Sequence, residues 1–146
     1  MNPQPETTAP REDVTVGSLM TADPIVVDVN THLAEVATLL SGHRIGGTPV
    51  VDGTGAVVGV ISETDLVRVQ ATDELWSRWP GLRVKHLMSS PVVSITAGRS
   101  AAEAAQLMES TGVHRLIVVD DEDGTTPVGV LSLGDLVRGM AGSLAR

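Results

Sequence analysis

Apolar positions change their spacing in the same order in both halves of the chain. Over Leu33–Leu40 they recur at i, i+3, i+4 and i+7, which predicts an amphipathic helix ending at Gly42. The β-branched runs Thr48–Val51 and Val57–Ile61 then predict two strands, and the turn residues Asp52–Gly55 between them predict a hairpin. A helix, a hairpin and further short elements therefore make up the first half.

The second half repeats these elements. The flanking elements predicted in the first half are a short helical or turn segment at Val14–Met20, a strand at Pro24–Val27 and a helix from Ser62. The second-half elements are strands at Val92–Ile95, Leu116–Val119 and Val128–Leu131, with helices at Ala101–Met108 and from Leu133. Each half thus reads as a β-α-β-β-α unit.

The amino acids repeat as well as their pattern. Val16–Arg68 aligns with Val84–Arg138 at an offset of 68 residues, which becomes 70 after an insertion near Thr125-Thr126. Two copies of one unit usually cover each other's apolar faces. We therefore predict an α/β fold with pseudo-two-fold symmetry and small sheets packed between helices. Such a repeat favours paired sites over a single catalytic centre.

Four segments follow from these boundaries. Residues 1–13 are polar and contain three prolines, which predicts a disordered tail. The first repeat is expected at residues 14–72 and the second at 84–146, joined by an apolar linker at 73–83. The linker carries Trp76 and Trp79, and two interpretations stay open for them: a packed hinge or an oligomer interface.

Composition narrows the class of protein. The net charge is −8, and the chain has a single lysine. Binding to nucleic acid or to an anionic membrane requires clustered positive charge, so neither is expected as a general partner. There is no cysteine, which excludes disulfides and thiolate chemistry. No signal peptide and no apolar run of about 18 residues is visible, so we expect a cytoplasmic protein.

The motifs resemble one known family. Leu-Met-Thr precedes a proline-containing strand, and the runs Ile45–Asp52 and Gly59–Leu66 have counterparts at Val113–Asp120 and Gly129–Asp135. Together they resemble the CBS-domain (cystathionine-β-synthase domain) family over residues 14 to about 140. The resemblance implies a tandem module that forms a flat, disc-like homodimer and binds an adenosyl ligand in clefts between the repeats. We expect a stand-alone module without an attached enzyme.

Ser62-x-x-Asp65 and Ser132-x-x-Asp135 each open a predicted helix. On spacing alone they predict capping boxes, with serine as N-cap and the acid returning to its backbone N–H. The family resemblance implies a second role, in which each aspartate accepts the two ribose hydroxyls of an adenosine and the nearby hydroxyls contact ribose or phosphate. Both interpretations stay open.

The two copies differ around this motif. Thr64 adds a hydroxyl in the first copy, where the second has Gly134. His114 and Arg115 lead into a strand of the second copy, and an arginine fork suits a phosphate, although Arg115 is equally interpreted as a strand residue paired with an acid. Near the first motif the cation is Arg44, beside His43. Phosphate binding is therefore expected mainly at the second motif.

An adenine ring needs an apolar slot. The candidates are Ile25 and Val26 in the first repeat and Val93 with Val118 in the second, and plain core packing is the competing interpretation. No metal is predicted, because the acidic run Asp120–Asp123 reads as a solvated turn and the histidines are scattered. No catalytic motif is visible, so we expect neither an enzyme nor a resident cofactor.

These observations lead to one functional expectation and one alternative. The first is a regulatory module that senses an adenosyl compound, of the AMP, ADP, ATP or S-adenosylmethionine type, and signals by rearrangement to a protein partner. The alternative is a constitutive dimerisation or interaction module without a nucleotide. The sequence leaves the ligand, the number of occupied sites and the partner open.

Overall fold

A computed structural model describes residues 13–143, so the predicted tail at 1–13 lies outside the described residues except for Asp13. The fold is mixed α/β with two small sheets, which confirms the predicted class. The chain divides into two compact units. One is Pro24–Val92, and the other combines the described residues up to Asp23 with those from Val93 onward.

The helices and strands follow the predicted order. In sequence they are α1 (Val16–Leu19), β1 (Thr21–Ala22), β2 (Val27–Asp28), α2 (Leu33–His43), β3 (Gly47–Val51), β4 (Val57–Ser62), α3 (Glu63–Ala71), α4 (Asp73–Ser77), a 3₁₀ turn (Trp79–Gly81), α5 (Val84–Leu87), β5 (Ser94–Thr96), α6 (Ala101–Thr111), β6 (Arg115–Val119), β7 (Pro127–Ser132) and α7 (Leu133–Ser143). Only Val27 of the strand predicted at Pro24–Val27 lies in β2, which also includes Asp28.

The unit Pro24–Val92 is built on a three-stranded sheet. Its order is β2-β3-β4, with β2 parallel and β4 antiparallel to β3. One face of α2 buries Leu33, Val36 and Leu40 against strand residues such as Ile61. Leu82 from the predicted linker is buried in the same core and accepts a backbone hydrogen bond from Leu33 (3.1 Å). The linker therefore packs as part of this unit.

The end of α2 corrects one sequence prediction. The helix does not end at Gly42 but runs on through His43, and Arg44 takes the left-handed conformation (φ 54°). The Arg44 backbone N–H donates to the carbonyls of Leu40 and Ser41, which satisfies carbonyls of the last turn. A glycine near a helix end indicates a stop, yet here the terminal geometry is made by the arginine two positions later.

The other unit has a four-stranded sheet of order β1-β7-β6-β5. The hairpin β6-β7 is antiparallel, β5 runs parallel to β6, and β1 adds an antiparallel edge beside β7. The core beneath it includes Val16, Ala104, Met108, Leu116 and Leu131. This sheet matches the β2-β3-β4 sheet with one additional short strand.

The Leu-Met segments cross between repeats. Met88 and Ser89, which open the second sequence repeat, lie against Gly59 of the first, and Val60 and Ser89 exchange backbone hydrogen bonds of 3.1 and 2.9 Å. Met20 lies against Gly129 in the same way. A strand glycine permits such close approach because it has no side chain. Sequence repeats and compact units are therefore offset by about one short helix.

Candidate functional site

The second motif joins a strand to a helix. β7 ends at Ser132 and α7 begins at Leu133. The Ser132 backbone N–H donates to Asp135 Oδ2 (2.8 Å), and the Asp135 N–H donates to Ser132 Oγ (3.2 Å). The Leu133 N–H donates to the carbonyl of His114 (3.0 Å). The reciprocal pair is a capping box, with Asp in place of the usual Glu or Gln.

The first motif has related but different hydrogen bonds. The Ser62 N–H donates to Asp65 Oδ2 (2.8 Å), and the Ser62 hydroxyl donates to the same oxygen (3.1 Å). The Glu63 N–H donates to the carbonyl of Gly46 (2.9 Å), as Leu133 does to His114. In both copies the acid therefore holds the helix start through Oδ2.

Both motif aspartates are buried carboxylates. Asp65 is 3% exposed and Asp135 is 8% exposed. Buried carboxylates require hydrogen-bond partners, and the positive end of a helix macrodipole favours them. Each also faces an arginine one turn along its helix: Arg68 in α3 and Arg138 in α7. Sequence reasoning missed these two arginines, although Asp-x-x-Arg is a helical i,i+3 pair present in both repeats.

Candidate cations lie differently in the two copies. Arg115 begins β6 directly opposite Ser132 in the β6-β7 register and is half-buried. Directly opposed strand residues have Cβ atoms about 4.5–5.5 Å apart on one face, so Arg115 lies beside the second motif. Exposed His114 precedes it. The start of α7 thus brings together four predicted site residues: His114, Arg115, Ser132 and Asp135.

The first copy has no such arginine at this position. Gly47 stands opposite Ser62, where the second copy has Arg115. Thr64 is exposed beside the buried Asp65, and Arg44 is exposed at the end of α2. Ser62, Thr64 and Asp65 lie together at the start of α3, and Arg44 lies at the end of α2. The strand pairing therefore places an arginine opposite the motif serine in the second copy and a glycine opposite it in the first.

The candidate adenine-slot residues have defined surroundings. Ile25 and Val93 are both half-buried. The Ile25 carbonyl accepts a hydrogen bond from the buried hydroxyl of Thr48, and the Val93 carbonyl accepts one from Ile117 N–H (3.2 Å). Val93 also packs against the core that contains Val118, which is fully buried. Their carbonyls therefore accept hydrogen bonds from β3 and β6. Their side chains remain candidates for a ligand slot.

The acidic loop is organised by its own backbone. Asp120 accepts from the Glu122 N–H (2.7 Å), and Asp123 Oδ1 accepts from the N–H groups of Thr125 and Thr126 (2.8 and 2.9 Å). Within residues 13–143 no three acidic or histidine side chains gather as a metal would require. Over the same residues no helix is long and apolar enough to cross a membrane.

The tryptophans form a stacked pair in the Pro24–Val92 unit. Their ring centroids lie 6.0 Å apart with 14° between the planes. Trp79 packs against the core of that unit, while Trp76 is exposed. Stacked rings at this separation stabilise the folded protein by more than their buried area alone accounts for. Trp79 therefore has a packing role within its unit, and Trp76 offers an exposed indole face.

The fold and the two motifs define a duplicated α/β module whose repeats share one site design. The model of the CBS domain family matches residues 16–72 and 84–142, and the chain belongs to this family. The resemblance read from the sequence is therefore confirmed. The family match includes both Ser-x-x-Asp motifs.

Relatives with this module occur alone and within larger proteins. The CBS domain-containing protein YhcV of Bacillus subtilis is 31% identical over 121 residues, which are 83% of this chain and 81% of the relative. Homoserine O-acetyltransferase of Methanocorpusculum labreanum is 30% identical over 128 residues, 86% of this chain but only 25% of the enzyme. This chain therefore spans a quarter of that enzyme's length.

A solved structure in the family contains a nucleotide. CBSX2 of Arabidopsis thaliana in complex with AMP is 32% identical, with a TM-score of 0.74, and the match covers 91% of this chain and 99% of CBSX2. A CBS pair of nearly the same length and fold has therefore been solved with an adenine nucleotide bound.

Proposed function

We propose that the protein is a regulatory module that binds an adenosyl compound through its Ser-x-x-Asp motifs and signals the bound state to a protein partner. The observation that carries the proposal is the pair of buried aspartates at helix starts, Asp65 and Asp135, in a fold shared with the AMP complex of CBSX2. A binding role fits this arrangement, since both aspartates and the Ser62 hydroxyl are held in hydrogen bonds at the starts of helices.

Capping and ribose binding are compatible at one carboxylate. An ionised carboxylate has about four lone-pair positions on its two oxygens. The helix caps use Oδ2 of each aspartate, as the hydrogen bonds from Ser62 and Ser132 show. At Asp65 both lone pairs of Oδ1 offer acceptors for a ribose diol, since Oδ2 already accepts twice from Ser62. At Asp135 Oδ2 keeps a second lone pair, and Oδ1 is shared with the Arg138 guanidinium.

The second motif has the better support for a phosphate. Arg115 lies opposite Ser132, and the guanidinium fork matches phosphate oxygens. The first motif offers the hydroxyls of Ser62 and Thr64 with the exposed Arg44 as its cation. We therefore propose that a phosphate-bearing ligand such as AMP prefers Asp135, and that Ile25 and Val93 contribute to adenine slots in their respective repeats.

The test is a thermal-unfolding panel with AMP, ADP, ATP and S-adenosylmethionine. A ligand that binds only the folded protein raises its stability by about 2.7 kcal/mol at a concentration of 100 times Kd. We expect one adenosyl compound to raise the midpoint with dose. Asp135→Asn should reduce the rise, since the change removes the negative charge and replaces one of the two acceptor oxygens with an NH2 donor.

Glu109→Gln is the matched control for that variant. Glu109 is exposed on α6, so the change removes the same charge away from either motif. Its ligand response should equal that of the unmodified protein. A flat response of the unmodified protein to every compound would contradict the sensor and favour the ligand-free interaction module.

We also propose a homodimer as the signalling assembly. Val67 on α3 and Val137 on α7 occupy equivalent positions of the two repeats, and both are exposed (65% and 62%). Closed two-fold dimers are the commonest oligomers of soluble proteins. Exposed apolar residues are suited to contacts between proteins, so the face of each of these two helices is a proposed contact between copies.

A further inference from the structure

The two carboxylate oxygens of Asp135 accept hydrogen bonds from different residues. Asp135 Oδ2 accepts from Ser132, whereas Oδ1 accepts a hydrogen bond from Arg138 Nη2, one helical turn further along α7. The Arg138 side chain is 72% exposed, while the carboxylate beneath it is almost closed to solvent. The guanidinium therefore lies on the outer side of the carboxylate, where an entering ligand would meet it.

The first repeat shows a looser version of this pair. Arg68 Nη1 lies 3.4 Å from Asp65 Oδ1, and no hydrogen bond accompanies this contact within residues 13–143. The sequences differ directly beside the acid, with Thr64 in one copy and Gly134 in the other. A Cβ atom at position 134 would stand 3.4 Å from Arg138 Nη1. This separation is ordinary van der Waals contact, so Cβ alone fits beside the guanidinium, whereas the two further heavy atoms of a threonine side chain would crowd it.

We propose that Arg138 is an internal competitor for the ribose diol at Asp135, and that Gly134 permits this competition in the second repeat alone. The inference rests on the proposed adenosyl-binding function and concerns regulation of the same site. A ribose that binds Asp135 displaces the Arg138 guanidinium. The binding free energy at the second site is therefore reduced by the free energy of the hydrogen bond that Arg138 loses.

The ion pair makes this exchange dependent on salt. The Arg138 guanidinium is exposed to solvent while the Asp135 carboxylate is buried, so added salt screens this pair in part, whereas adenosine is uncharged. Added salt therefore weakens the Arg138 contact without directly weakening a neutral ligand. Adenosine affinity at Asp135 should increase with salt, and this increase should vanish when residue 138 has no charge. A purely structural role for Arg138 would produce no such dependence.

The experiment uses calorimetric titration with adenosine, which carries the diol but no phosphate. An Asp65→Asn background restricts binding to the second site. In that background Arg138→Met keeps the apolar stem, removes the guanidinium, and should tighten adenosine binding about two- to fivefold, the range that an exposed ion pair allows. Arg68→Met in an Asp135→Asn background is the matched control and should change binding at the first site by a smaller factor.

A second variant tests the role of the glycine. Gly134→Thr copies the first repeat and should tighten adenosine binding in the same direction, because the added side chain displaces the guanidinium. Combined with Arg138→Met it should add nothing further, since both changes remove one interaction. Circular dichroism of each variant confirms that α7 is retained.

The outcomes separate this inference from the proposed function. Binding in the Asp65→Asn protein that is unchanged or weakened by Arg138→Met overturns the competition and leaves the sensor intact. Binding in the unmodified protein that is lost in Asp65→Asn assigns adenosine to the first site and also overturns the competition. Absence of binding to every variant, with no response to the adenosyl panel, overturns both.

Discussion

At the residue scale, aspartate side chains accept the hydrogen bonds that hold the turn of each β-hairpin. Asp52 Oδ1 accepts from the N–H and hydroxyl of Thr54 (2.8 and 2.6 Å). In the longer second hairpin Asp120 accepts from the Glu122 N–H (2.7 Å), and Asp123 Oδ2 accepts from the Thr126 hydroxyl (2.6 Å). The hydrogen bonds from threonine favour the ionised forms of Asp52 and Asp123, and the threonine hydroxyl is the largest cause of the lowered pKa of both. The acidic run therefore includes a structural acid.

Asp123 gives a pH prediction. Hydrogen bonds from Thr126 and Thr125 lower the pKa of Asp123 from 3.8 to about 2. Because the pKa is lower in the folded state, the turn is stabilised above pH 4 and loses this stabilisation as the pH falls towards 2. Thr126→Val should move the Asp123 midpoint upward in an NMR titration. The Asp123 midpoint of the unmodified protein is the reference, and an unchanged midpoint in the variant would contradict the hydrogen-bond cause.

At the element scale, strand glycines allow neighbouring segments to approach. Gly59 in β4 has the Ser89 carbonyl and the Met88 side chain directly above it, and Gly129 in β7 has Met20 and Thr21. Both glycines lie in the identical Val-Gly-Val run of the repeats. The run is therefore explained by packing of the Leu-Met segments, apart from any ligand.

The glycine of β4 gives a stability prediction. A Cβ atom at position 59 would stand 2.7 Å from the Ser89 carbonyl oxygen, which is backbone and cannot rotate away. Gly59→Ala should therefore lower the free energy of unfolding by about 1–3 kcal/mol, as overpacking does. Gly53→Ala, in the turn of the same hairpin with open space around it, should change it by less than about 0.5 kcal/mol. Equal denaturant midpoints for the two variants would refute this account.

At the scale of the whole molecule, duplication produces pairs of similar surfaces as well as similar sites. Val67 and Val137 are large apolar side chains left exposed at matching places on α3 and α7. Each lies directly before the arginine that faces the motif aspartate. A contact between copies through these helices would therefore touch the residues next to Arg68 and Arg138, which links the proposed assembly to the proposed ligand sites.

The assembly prediction follows from the same two residues. The unmodified protein should be a dimer by light scattering after gel filtration, and Val67→Glu with Val137→Glu should give a monomer, because buried charges oppose apolar association. Ala105→Glu adds the same charge to an exposed position of α6 and should remain dimeric. A monomeric unmodified protein, or a dimeric double variant, would exclude this interface.

The amino-acid sequence determined the types and order of the helices and strands, because the spacing of apolar residues within each segment indicates which face it buries. It also indicated the repeat and both Ser-x-x-Asp motifs. Local pattern failed at Gly42, where backbone geometry at Arg44 ends the helix instead. Only the tertiary structure decided that Met20 packs on Gly129 and that Arg138 meets Asp135 while Arg68 stands back from Asp65. Such contacts depend on the space that distant or neighbouring side chains leave, and periodicity does not record that space.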